Sequence, residues 1–134
     1  MFSKLNGNIT VRVETSDPST YAAGRYIALG SKDTDIATFT STGVIKIKKD
    51  MRALINVHIN GSGANGRGWI TLGKYNATSI YPVYATAIAY GNHQSLEIST
   101  VQNLENGDEI ALAATEQFSL NNGIGNWYIE ISEI

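Results

Sequence analysis

Between Thr42 and Leu72 the chain packs strand, turn, strand, glycine-rich run and strand into one short stretch, TGVIKIKKDMRALINVHINGSGANGRGWITL. In Val44–Lys49 the apolar Ile45 and Ile47 alternate with Lys46 and Lys48, the period of two that marks a strand with one wet face. Ala53, Ile55, Val57 and Ile59 then share one side of a strand whose other side carries Leu54, Asn56 and His58, so both of its faces read as covered. The same reading extends in both directions. Residues 8–14 alternate Ile9, Val11 and Val13 with Thr10, Arg12 and Glu14; the SDPST turn around Pro18 follows, and residues 21–29 are apolar without clean alternation. Further strands are expected at 36–41, 69–75, 78–90 (interrupted at Pro82), 94–101, 109–114 and 126–134. In the last, Trp127, Ile129 and Ile131 oppose Tyr128, Glu130 and Ser132. No segment has helical periodicity, and about nine to ten short strands at this spacing predict an all-β antiparallel sandwich, of which a jelly roll is one version.

Composition narrows the chemistry. At 134 residues the chain fits one domain, 1–134, and such a domain buries roughly two thirds of the surface its unfolded chain exposes, without staples. The absence of cysteine excludes disulfides, thiolate metal sites and cysteine nucleophiles together. A net charge of -2, with ten scattered Lys and Arg, supplies no field for a phosphate backbone, so nucleic acid is not an expected partner. No stretch approaches about twenty apolar residues and MFSKLNGNIT lacks a signal-peptide core, so no membrane insertion is expected. Thirteen glycines against two prolines suit tight turns between strands.

The segments TSTGVIKIKKDMRALINVHI, NLENGDEIALAAT and NWYIEISEI together resemble the trimeric jelly-roll heads of the tumour-necrosis-factor and complement-globular-head type, most of all the head domains of phage tail receptor-binding proteins. The resemblance rests on the Thr42-Gly43 turn, the Lys49-Asp50 turn, the Gly107-Asp108 turn and the returning strand Trp127–Ile131. It is strongest over residues 36–134. It implies a homotrimer, a virion location at an extracellular tail or baseplate tip with other tail proteins as partners, and recognition of host cell-surface saccharide. A pattern in the residues points the same way: IYPVYATAIAY and IALAAT are apolar on both faces, and Ala85, Ala87, Ala89, Ala111 and Ala113 would let a neighbouring subunit approach their small side.

Catalytic chemistry finds little support. His58 and His93 are separated by strands, His93 falling in the Gly91–Gln94 turn, and lack a carboxylate at ligand spacing; His58, in mid-strand, reads as an interior or interface histidine. Asp33 and Asp35 are too few for a calcium loop. Glu105, Asp108 and Glu109 crowd one turn rather than flanking a cleft. There is no G-x-S-x-G elbow. GSGANGRG (61–68) lacks the Lys-Ser/Thr ending and following helix of a phosphate loop and reads as a flexible loop. No metal and no cofactor are therefore expected.

Aromatic side chains offer more, because sugar rings present C–H faces that stack on them while hydroxyls seek amides and carboxylates. Trp69, Tyr75 with Asn76, and Tyr90 with Asn92 and His93 lie near strand ends and are the saccharide candidates, followed by Asn65 and Arg67, the latter able to meet an anionic polymer. Three functions follow for testing: a non-enzymatic adhesion head that binds host saccharide, a trimeric capping head of a fibre or spore filament without a ligand, and a monomeric carbohydrate-binding module.

Overall fold

The computed structural model describes residues 9–15, 20–63, 66–77, 79–91, 94–120 and 127–134. They form twelve strands: β1 (Thr10–Thr15), β2 (Thr20–Tyr21), β3 (Lys32–Asp33), β4 (Ala37–Phe39), β5 (Ile45–Ile47), β6 (Met51–Gly63), β7 (Arg67–Tyr75), β8 (Ile80–Tyr90), β9 (Gln94–Leu104), β10 (Glu109–Ala114), β11 (Phe118–Leu120) and β12 (Trp127–Glu133). Sheet A sets β12 between β1 and β6, with β9 on the other side of β6; β11 and β2 continue the sheet beside the last residues of β6. Sheet B runs β3-β4-β5-β10-β7-β8. All pairings are antiparallel, and from β6 onward the chain passes from sheet A to B and back, which is the winding of a jelly roll.

Alternation decides which side chains meet between the sheets. Ala53, Ile55, Val57 and Ile59 of β6 point inward together with Ile129 and Ile131 of β12, against Ile70 and Leu72 of β7 and Ile110 and Leu112 of β10; all are buried. Trp127 and Phe118 are the largest fully buried side chains. Each apolar side chain of this kind contributes roughly 1.5–3 kcal/mol by leaving water. β6 organises the layer: it pairs with β9 from Met51↔Leu104 to Gly61↔Gln94 and with β12 from Ala53↔Glu133 to His58↔Tyr128. A one-residue slip would turn all four inward side chains of β6 to the outside.

Three expectations change. Most of GSGANGRG is strand rather than loop, since β6 reaches Gly63 and β7 starts at Arg67. Its glycines answer to close approach: a Cβ on Gly61 would collide with the Ser119 carbonyl and the Phe118 ring, and one on Gly63 with the Arg67 carbonyl. Second, the alanines are covered by the chain itself. Ala85, Ala87 and Ala89 pack against the domain's own core, and Ala111 and Ala113 are 0% and 7% exposed because the segment 22–29 runs alongside β10. There Ile27 N–H donates to the Leu112 carbonyl (2.7 Å), Gly24 N–H donates to the Ala114 carbonyl (2.8 Å), and Tyr26 bridges Ala113. Third, β8 passes through Pro82 without ending. It is an edge strand, where a missing N–H costs no ladder bond, and β8 itself carries one extra residue at each of two register shifts against β7, between Leu72 and Gly73 and between Gly73 and Tyr75. The Pro18 turn lies outside the described residues, as do Asn8, Thr78 and Asn126 at the ends of expected strands.

Candidate functional site

Alternation along β7 sends Ile70 and Leu72 into the core and leaves Arg67, Trp69 and Thr71 on the outer face of sheet B. Across the ladder they stand opposite Tyr90, Ile88 and Thr86 of β8. Three of the expected saccharide residues thus share one face at one end of the sheet: Trp69 is half-buried, while Tyr90 is 72% and Ile88 43% exposed. Arg67 lies over Trp69, its guanidinium carbon 5.3 Å from the ring centre. Glu116 grips that guanidinium with two parallel bonds, Nε to Oε1 at 2.8 Å and a terminal nitrogen to Oε2 at 2.6 Å. This carboxylate, chiefly through those bonds, holds the Arg67 pKa above its already high ordinary value. The cation is therefore neutralised within the chain rather than offered to an anionic polymer.

Two loops meet at this end. Gly91 N–H donates to the Gly66 carbonyl at 3.0 Å, tying the β6–β7 connection to the β8–β9 connection. Asn65, Asn92 and His93 belong to these connections and lie outside the described residues.

Tyr75 and Asn76 are not part of this cluster. At about 3.3 Å per residue, β7 carries Tyr75 roughly 25 Å from Arg67. The Asn76 side-chain oxygen accepts from Ser79 N–H (3.1 Å) and Ser79 hydroxyl (3.2 Å), the work of a turn-forming residue. Tyr75 meets Tyr26 edge-on, ring centres 5.2 Å apart at 77°. Beside Tyr26 opens a groove of about 280 Å³ lined by Gly24, Thr71, Ser79, Ile80, Ala113 and Thr115. Burial, then the neighbouring Tyr75, pushes the Tyr26 phenol up from its ordinary pKa. The Thr71 and Thr115 hydroxyls are hydrogen-bonded at 2.7 Å. Tyr26 and Thr115 escaped sequence reasoning because one sits in a segment without clean alternation and the other just beyond a strand end. The signal was the inward pair Ile27 and Leu29, which forces Tyr26 outward.

The remaining polar candidates have structural partners. Asp108 accepts from Glu105 N–H (2.9 Å) and pairs with Lys74 (3.2 Å). Asp33 accepts from Thr38 (2.6 Å) and Lys48 (3.0 Å), and these two bonds hold its carboxyl below the usual range. Among the described residues no group of three or more His, Asp or Glu could hold a metal, and no helix is long and apolar enough to cross a membrane. His58 lies on the outer face of sheet A, half-buried, stacked on Tyr128 (5.6 Å, 27°), with Asn60 Nδ2 3.2 Å from its Nε2.

No protein-family model and no curated protein matches this chain. Solved structures do. An Eiger TNF from S. frugiperda superposes with a TM-score of 0.76 at 14% identity, over 96% of this chain and 93% of that one. The globular domain of zebrafish complement 1qA gives 0.67 at 13% identity, over 93% and 95%. Murine APRIL gives 0.71 at 7% identity, over 95% and 99%. The chain has the fold of TNF and C1q heads. It is an all-β, antiparallel jelly roll of that type over nearly its whole length, and at such identities the likeness is one of backbone alone.

Proposed function

We propose that this chain is a non-enzymatic adhesion head, three copies of which assemble at the tip of a phage tail or baseplate and recognise host-surface saccharide through the outer face of sheet B. The observation that carries the reading is the placement of Trp69, Ile88 and Tyr90 as adjacent, outward side chains on one strand pair, at the end where Gly91 N–H is tied to the Gly66 carbonyl. Flat apolar surfaces flanked by hydroxyl and amide groups suit the C–H faces and hydroxyls of a sugar.

Self-association is supported by a different region. β8 and β9 form edges of their sheets, and on them Tyr81, Val83 and Val101 stay 72%, 48% and 44% exposed. An apolar edge of this kind marks a contact surface, and a second copy supplies the cover. Three sites on one particle then multiply a weak single-site affinity.

A glycan array and isolated host envelopes, probed with the full chain alongside light scattering, test the proposal. Trimeric mass with saccharide binding that disappears in Trp69→Ala/Tyr90→Ala is the expected result. A trimer that binds no glycan would instead be a capping head of a fibre or spore filament, and a monomer that binds would be a carbohydrate-binding module. Turnover of a bound oligosaccharide would overturn the non-enzymatic assignment.

A further inference from the structure

The platform at Trp69 and the groove at Tyr26 belong to one continuous surface. Thr71 is the next outward residue of β7 after Trp69 and also lines the groove. Thr115, on the opposite wall, donates its N–H to the Trp69 carbonyl at 2.9 Å and its side chain is hydrogen-bonded to Thr71. The outer face of β7 therefore runs without a break from Tyr90 and Trp69, past the two threonine hydroxyls, to the groove flanked by Tyr26 and Ile80. At about 3.3 Å per residue, the strand beneath it is roughly 25 Å long, far more than one sugar ring covers.

The lining is also electrically quiet. Among the described residues no charged side chain lines the groove, and Arg67, the cation over the Trp69 ring, is locked to Glu116. What the track offers is aromatic and aliphatic surface alternating with hydroxyls. Resting on the saccharide reading above, we infer that the ligand is a linear, uncharged glycan several rings long, laid along β7, with terminal rings stacked at Trp69 and Tyr90 and internal rings seated in the Tyr26 groove. A polyanion would find no unpaired cation among the described residues of the platform and groove. A single terminal sugar would leave the groove unused.

The test is a length ladder. Full-length protein is titrated calorimetrically with cello-, chito- and manno-oligosaccharides from monomer to hexamer, chosen by the array, and with oligogalacturonates as the acidic counterpart. Affinity should rise with each added ring beyond the disaccharide and be lower for the acidic series. Replacing both threonines (Thr71→Val/Thr115→Val) exchanges a hydrogen-bonded pair for an apolar pair of the same shape, so the fold is retained. It should cost about tenfold in hexamer affinity and nothing for the disaccharide. Affinity already complete at the disaccharide and indifferent to the threonine replacement overturns the track while leaving the adhesion reading intact. Preference for the acidic series overturns the uncharged assignment. Failure of every neutral glycan, on the array and in the ladder, overturns both this inference and the reading beneath it.

Discussion

The outer faces of the two sheets are built on the same core yet solve opposite problems. On sheet A, Arg12 lies 3.8 Å over the Tyr128 ring and pairs with Glu14 (3.0 Å) and Glu130 (3.8 Å); Glu130 accepts from Asn56, and His58 stacks beneath with Glu97 3.9 Å away. Polar groups there are consumed by one another across four neighbouring strands. At the β7–β8 end of sheet B the charged groups among the described residues reduce to one closed pair, Arg67 with Glu116, beside aromatic, aliphatic and hydroxyl side chains. The first face is a self-satisfied lattice; the second leaves stacking surface open. Strand alternation alone does not distinguish them, since both faces come from polar-facing positions of half-buried strands. What separates them is whether cross-strand partners complement each other.

Removing what the faces share should produce the largest effect. Trp127→Ala opens a hole in the common core, where the indole is fully buried, and should cost about 3–5 kcal/mol. Thermal denaturation should show a single, much lower transition, with glycan binding and self-association lost together at its midpoint. Trp69→Ala sharpens the contrast. It removes the platform of sheet B, and saccharide affinity should fall about thirtyfold, as for a central hot-spot residue, with the trimeric mass unchanged. Tyr128→Ala is its counterpart on sheet A: losing the Arg12 and His58 ring contacts should lower stability by about 1 kcal/mol in urea denaturation, with glycan affinity unaltered. Loss of glycan binding in Tyr128→Ala would show that the faces are not separate.

The smallest effect concerns pH at the β3 edge of sheet B. The Asp33 carboxyl is held below its ordinary pKa, first by Thr38 and then by Lys48. A depressed carboxyl adds stability that is complete above its unfolded pKa and lost as pH falls through the lower folded value. Acid should therefore loosen the β3–β4 pair before the core, visible as earlier hydrogen exchange at Thr38, and Thr38→Val should weaken that pH dependence. The group is exposed, so the change in global stability should be slight.

These regions were unequally legible in the sequence. β10 was expected at 109–114 and is found there, because Ile110 and Leu112 alternate cleanly between turn signals. β6 runs past Ile59 through Gly61 to Gly63, residues whose composition reads as loop, whereas here those glycines answer to the nearness of Ser119 and Arg67. β2, β3 and β11 hold only two or three residues each, too few for any period to register. That Arg67, Trp69 and Tyr90 lie together at one end of sheet B followed from their places near the ends of β7 and β8. The groove was not. Thr71 and Thr115 are joined by the pairing of β7 with β10, and Tyr26 by a bridge to Ala113, relations that no local pattern encodes. Tyr75 and Trp69, near in sequence, proved to belong to opposite ends of one strand.

The position of β12 carries a consequence for synthesis on the ribosome. β1 has β12 as its ladder partner from Thr10↔Ser132 to Thr15↔Trp127, and β12 is what joins it to β6. Until residues 127–133 have left the exit tunnel, β1 has no ladder partner, and its inward side chains Val11 and Val13 wait on β12. Sheet B, complete at β10, can form earlier, so the face proposed for recognition takes shape before the lattice face closes.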